Sequence, residues 1–263
     1  MSETLHVPTM EQCMAEGKTP DILFWVGSAG SYDDRAKKIS RAFVKILNKA
    51  NVNFAVLGSE ESCTGDVAKR AGNEFLFQMQ AMMNIEVLNA YEVKRIVTCD
   101  PHSFNCLKNE YPSLGGHYDV MHHTQFIREL IETGALKINS NKLGDTRITF
   151  HDPCYLGRAN EEYDAPRKLL QALNAQLIEM KRSKSKALCC GAGGAQMFKD
   201  AEAGDKEVNV LRTEDALETK PQIIATGCPY CKTMMTDGIT FKEKSAEVVV
   251  KDIAELIAEA NKL

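Results

Sequence analysis

No apolar stretch in this sequence approaches the roughly 18 residues of a membrane-spanning helix, so no span is expected. Basic residues are not in excess: 32 lysines and arginines face 36 acidic residues, for a net charge of -4, and the two signs are interspersed. That distribution lacks the basic footprint by which proteins hold nucleic acid, and no nucleic-acid partner is expected. The opening Met1-Ser2-Glu3-Thr4-Leu5-His6 has neither the basic start nor the apolar core of an export signal. The expectation is a soluble, unexported, cytoplasmic protein. A dinucleotide fingerprint is missing too, because Gly191-Ala192-Gly193-Gly194 has the wrong spacing and follows two cysteines.

Cysteine is what the chain has in surplus. There are nine, in a setting where thiols stay reduced and a disulfide framework is not expected. Five fall in three short clusters. Cys154 closes His151-Asp152-Pro153-Cys154; after 34 residues comes Cys189-Cys190-Gly191, and after another 37 comes Cys228-Pro229-Tyr230-Cys231. The first half of the chain repeats this spacing. Ser28 precedes Cys154 by 126 positions, Cys63-Thr64-Gly65 precedes Cys189-Cys190-Gly191 by the same 126, and Asp100-Pro101-His102-Ser103 precedes Cys228-Pro229-Tyr230-Cys231 by 128. The chain reads as a duplication, one copy over residues 1–140 and the other over 141–263, in which the first keeps only Cys63 in register.

Apolar periodicity places the clusters in an α/β fold. Residues 22–26, 53–57, 95–99 and 118–121 read as strands. Between them run a helix through Ala36 and Leu47 that Ser31 and Asp33 can cap, a long helix over about 66–90, apolar at Phe75, Phe77, Met82, Ile85 and Leu88, and helices from Pro101 and Gln125. The second half repeats the order, with strands over 147–151, 176–179, 222–226 and 247–250 and helices from Asp164, after Gly194, from Pro229 and over 253–260. Residues 139–145 form the polar join. Alternating strands and helices imply right-handed crossovers and a mainly parallel sheet in each of two pseudo-equivalent halves.

Each thiol cluster follows a predicted strand, at the end where open α/β sheets bind ligands, so the five can converge. Thiolates are soft, anionic ligands suited to iron-sulfur clusters and zinc, while Gly191, Gly193 and Gly194 let backbone approach a bulky inorganic core and donate N–H groups to it. Zinc on four thiols leaves the fifth without a role, since structural zinc is four-coordinate and closed. Cys228-Pro229-Tyr230-Cys231 has the form of a redox dithiol at a helix start. The glutaredoxin-like fold, however, needs a downstream cis proline, and the 32 residues after Cys231 contain no proline. Cys13 reads as core filling, His122, His123 and His151 as hydrogen-bonded structure in preference to ligands, Met79, Met82 and Met83 as core or partner surface, and residues 181–186 as a solvated basic loop.

The pattern of Cys, 34 residues, Cys-Cys-Gly, 37 residues, Cys-x-x-Cys resembles the cysteine-rich CCG domain found in heterodisulfide reductase and in related iron-sulfur subunits of glycolate, lactate and glycerol-3-phosphate oxidising complexes. In that family two motifs occur in tandem, as the duplication does here. The resemblance implies one [4Fe-4S] cluster, cubane or noncubane, held by Cys154, Cys189, Cys190, Cys228 and Cys231. It also implies an electron-transfer subunit that relays electrons between a dehydrogenase or flavoprotein and another iron-sulfur or quinone-reducing subunit. The first copy departs from the pattern at Ser28, Thr64, Asp100 and Ser103; Cys99 and Cys106 lie near the lost pair but out of register, and a residual site built on them and Cys63 stays open. Two other functions fit the same residues: a disulfide reductase in which substrate sulfur binds cluster iron, and a non-redox zinc module serving assembly.

Overall fold

The computed structural model describes residues 5–139, 143–200 and 203–263. Runs of large apolar side chains with no polar face are stable only when covered on both sides, the position of an internal parallel strand. Accordingly β1 (Ile22–Trp25), β2 (Phe54–Ala55), β3 (Arg95–Thr98) and β4 (Asp119–His122) form one sheet in the order β2-β1-β3-β4. β5 (Arg147–Phe150), β6 (Gln176–Leu177), β7 (Ile223–Thr226) and β8 (Val249–Asp252) repeat it as β6-β5-β7-β8. All pairings are parallel, with Phe24 opposite Val97 in the first sheet and Phe150 opposite Ala225 in the second. The fold is α/β, and the two halves are pseudo-equivalent.

The first half contributes α1 (Met10–Ala15), α2 (Gly27–Tyr32), α3 (Ala36–Lys49), α4 (Asp66–Arg70), α5 (Glu74–Ala90), α6 (Pro101–Asn105) and α7 (His123–Glu132). The second contributes α8 (Asp164–Ala172), α9 (Val208–Glu218), α10 (Pro229–Phe241) and α11 (Ile253–Ala260). Helices α3 and α7 pack against α11 and α8, filling the space between the sheets. One apolar core runs from Phe24, Phe43 and Ile127 through Phe150, Leu169, Leu256 and Ile257, joining the halves without a break. Outside it, α5 covers the first sheet with Phe77, Ile85 and Leu88, and Met235 and Ile239 of α10 cover the second.

Several expected boundaries shift. The helix expected over 66–90 is two, because Gly72 adopts φ +88 and Asn73 caps α5 by accepting the Leu76 N–H at 3.0 Å. A left-handed glycine followed by a capping side chain stops one helix and starts another, whatever the apolar period across them. In α5, Phe75 and Met82 are exposed together with Met79 and Met83, so the helix carries a second apolar stripe facing away from the sheet. Strand β8 runs on to Lys251 and Asp252, which pair with Ala225 and Thr226; sheet register, not apolarity, sets its end. Ser140, Asn141 and Lys142 of the expected join lie outside the described residues.

Two histidines at the end of β4 lock the halves together. The His122 Nε2–H donates to the Gly227 carbonyl at 3.0 Å, and the His123 Nε2–H donates to Asp252 Oδ1 at 2.9 Å, with both members of the second pair fully buried. Asp252 also caps α11 by accepting the Ala254 N–H at 2.9 Å. Asp252→Ala should therefore lose a cap worth about 1 kcal/mol and strand a buried donor at about 1–3 kcal/mol, a total of about 2–4 kcal/mol in urea unfolding. Glu247→Ala, which breaks an exposed pair with Lys244, should cost under about 0.5 kcal/mol. Equal losses from the two variants would show that the buried pair is no lock.

Candidate metal centre

In the second sheet the chain crosses to one side after β5 and to the other after β7, which opens a crevice at the carboxyl ends of these two strands. Cys154 lies on the loop leaving β5, Cys228 directly after β7, and Cys189 and Cys190 on the loop beyond β6. Cys231 sits in the first turn of α10. That helix begins with Pro229, where no N–H is required, and Cys228 caps it by accepting the Cys231 N–H at 3.4 Å, so its positive end faces the thiols. The Asp152 carboxylate anchors the Cys154 loop, gripped by Arg167 Nη1 and Nη2 at 2.8 and 3.0 Å and by the Lys184 N–H at 2.7 Å.

All five predicted thiols come together. Cys190 and Cys231 Sγ are 3.4 Å apart, Cys189 hydrogen-bonds both Cys154 and Cys190, and none of the five is in a disulfide. Cys190, Cys228 and Cys231 are buried, while Cys154 and Cys189 are half-buried at the rim. Gly191, at φ +93, directs its N–H to Cys189 Sγ at 3.3 Å, a conformation that L side chains rarely adopt. Gly193 and Gly194 border open space facing His102 and Tyr230.

Charge is already uneven in this group. Hydrogen bonds from Cys154 and Cys190 hold the Cys189 thiol well below its ordinary range, whereas contact with Cys189 and burial push Cys154 up. Burial works against ionisation of Cys228, but Cys231 and His102 bring it down to about 7. Thiols in mutual contact cannot all ionise without a cation between them. The donor set therefore fits a cationic inorganic core that takes the place of the protons.

Two further donors belong to a histidine beside the thiols and to the arginine behind it. Arg212 Nε donates to His151 Nδ1 at 2.9 Å, and burial followed by the guanidinium charge holds the imidazole down at about 3, so it is neutral with its proton on Nε2. His151 Nε2 and Arg212 Nη2 are both buried without a partner among the described residues. Arg212 carries no signal in the sequence, where an arginine on an amphipathic helix reads as surface.

The first half forms the opposite wall. Asp100, in register with Cys228, does the same local work: its carboxylate caps α6 by accepting the N–H groups of His102 at 3.0 Å and Ser103 at 3.2 Å. Cys63 mirrors Cys189, accepting the Gly65 N–H at 3.4 Å beside a glycine at φ +87. His102 lies between the rings of Tyr155 and Tyr230, at 4.7 and 5.2 Å, with Nδ1 3.0 Å from Asp100, and hydrogen-bonds Cys228. Burial alone would favour neutral imidazole, but Asp100 and Cys228 carry the His102 pKa well above its ordinary value. Sequence reasoning passed over His102; its signal was its place in the stretch aligned with Cys228-Pro229-Tyr230-Cys231. Cys99 and Cys106 are buried in separate apolar clusters, where burial and nearby carboxylates keep both thiols protonated. Cys13 is buried in the outer core under α5.

A family model described as a cysteine-rich domain, CCG, matches residues 22–108 and again 148–236. The "Probable iron-sulfur-binding oxidoreductase FadF" of Bacillus subtilis is 49% identical over 256 residues, covering 97% of this chain and 36% of its own length. The "EtfAB:quinone oxidoreductase" of Syntrophomonas wolfei is 43% identical over 93% of this chain and 35% of its own length. One subunit of the dihydromethanophenazine:CoB--CoM heterodisulfide reductase of Methanosarcina barkeri is 36% identical over 91% of this chain and 59% of its own length. The chain thus spans about a third of the two bacterial relatives.

One first-half carboxylate makes the wall sensitive to pH. Glu61 accepts the N–H groups of Val26 at 2.9 Å and Gly27 at 2.5 Å, yet burial raises its pKa from 4.5 to about 7. A pKa higher in the folded than in the unfolded chain contributes stability that is complete below pH 4.5 and lost as the pH rises through about 7. Urea unfolding of the parent should weaken across that window relative to Glu61→Gln, which has no such titration. Parallel pH profiles for the two proteins would contradict the assignment.

Proposed function

The chain belongs to the family of cysteine-rich CCG domains, and we propose that the second of its two copies, residues 141–263, holds one [4Fe-4S] cluster through Cys154, Cys189, Cys190, Cys228 and Cys231 and transfers electrons within a larger redox assembly. The observation that carries this reading is the convergence of five free thiols at a helix start and a left-handed glycine, one more than a closed zinc site uses. The printed names of the relatives support the same class: an iron-sulfur-binding oxidoreductase, a quinone oxidoreductase and a component of a heterodisulfide reductase. The partners are a dehydrogenase or flavoprotein on one side and an iron-sulfur or quinone-reducing subunit on the other. Among the described residues no helix is long and apolar enough to cross a membrane, and contact with one is assigned to a partner; a further relative is named "Probable membrane-anchored ferredoxin".

When bound, the cluster takes up and releases single electrons. The residues of the chain do the rest. Thiolates hold the core, the Gly191 loop lets backbone lie against it, and the rings of His102, Tyr155 and Tyr230 close the first-half side against water. Cys154 and Cys189, half-buried at the rim, mark the side from which a partner approaches. The first copy holds no second cluster, because Ser28, Thr64, Asp100 and Ser103 offer hard oxygen atoms where soft thiolates are needed.

Anaerobically purified protein should contain about four iron and about four acid-labile sulfide per chain. Serine at Cys189 or Cys231 should remove most of that iron and serine at Cys13 or Cys106 none of it; zinc alone, or equal iron loss from the Cys13 and Cys189 variants, would sink the reading. With a single cluster, the isolated chain should also fail to turn over small heterodisulfides while still being oxidised by a candidate partner subunit. Catalytic disulfide cleavage would promote the reductase alternative.

A further inference from the structure

Beside the thiols lies a guanidinium without a full counter-charge. Arg212, on α9, is wholly buried. Its Nη1 donates to the Arg182 carbonyl at 2.7 Å and approaches Asp215 at 3.3 Å, but Asp215 is already gripped through both oxygens by Arg182 at 2.7 Å. The remaining Nη2 has no partner among the described residues. A buried cation so placed is costly unless an anion meets it. Asp152, the next anion to act on this guanidinium, is itself gripped by Arg167, and after it comes the thiol of Cys231; a ring nitrogen of His151 and the Sγ atoms of Cys190 and Cys231 all lie within 4.8 Å of one another.

A histidine that close to two cysteines has the reach of a metal ligand. Ligation needs a free lone pair on nitrogen, and Arg212 removes that option. Its Nε–H occupies the lone pair of His151 Nδ1, which puts the single imidazole proton on Nε2. His151 is thereby a donor and no ligand.

We propose, on the basis of the cluster reading above, that Arg212 and His151 form a buried pair that positions and tunes the iron-sulfur cluster: Arg212 fixes the Nε2–H tautomer of His151, and together they present N–H donors and one positive charge to the sulfurs at Cys190 and Cys231. Reduction adds negative charge to the cluster. Donors and a cation in a dry site stabilise that added charge, so the pair raises the reduction potential.

The test is an electron-paramagnetic-resonance redox titration of the cluster-loaded chain. Arg212→Gln and His151→Leu should move the midpoint potential to more negative values at the iron content of the parent. Arg212→Lys, which keeps the charge, and His151→Gln, whose amide still donates, should recover part of the shift. A second measurement needs no variant: in parent protein carrying nitrogen-15 arginine, pulsed spectra of the paramagnetic cluster should show a coupled arginine nitrogen. Unchanged potentials in Arg212→Gln and His151→Leu at full iron content, or no arginine coupling in the parent, would overturn the proposal. If the variants fail to retain iron, the labelled parent decides. A parent that binds no iron is recognised earlier, by metal analysis, and overturns the cluster reading instead.

Discussion

Everything around the crevice of the second sheet answers one electrostatic constraint: five thiols are gathered where water is largely excluded, and their negative charge has to be matched. Several sources of positive potential are arranged for this. The start of α10 gives the Cys231 N–H to Cys228, Gly191 adds a backbone donor to Cys189, His102 reaches across from the first half, and Arg212 stands behind His151. The first three of these groups already meet a cysteine sulfur, whereas Arg212 reaches the thiols only through His151.

The duplication shows which parts of the device are backbone and which are side chain. Both copies turn at a left-handed glycine shortly after a cysteine, and both start a helix with an anionic cap after the third strand of the half. The difference lies in what performs the cap. A thiol at Cys228 can also bind a soft metal; a carboxylate at Asp100 caps equally well but binds such metals poorly, and it is free to hold His102. The first copy, which keeps only Cys63 in register, is still tied to the other by a continuous core and by the hydrogen bonds of His122 and His123.

Much of this was legible in the sequence. Strands such as Ile22–Trp25 declare themselves because they are apolar on both faces, and the five cysteines because their spacing repeats and each cluster follows a strand. The break between α4 and α5 was hidden by the apolar period running through it, although Gly72 and Asn73 were its signal. The exposure of Phe75 and Met82 could not be read, since a helix apolar on two sides gives no hint of which side is covered. Arg212 and His102 were missed for a different reason: their roles depend on partners that are distant in the chain, and local pattern carries no record of such meetings.

Burial opposes the charge of the Asp100 carboxylate, yet His102 keeps it ionised, and the imidazolium so created is spent on Cys228 in the other copy. A mutation of Asp100 to cysteine would therefore do more than add a thiol to the first copy. It would discharge His102 and withdraw a cation from Cys228, while Ser28, Thr64 and Ser103 still offer only hard oxygen atoms. The asymmetry between the halves is in this sense electrostatic: a charge created by a carboxylate of one copy is used by a thiol of the other.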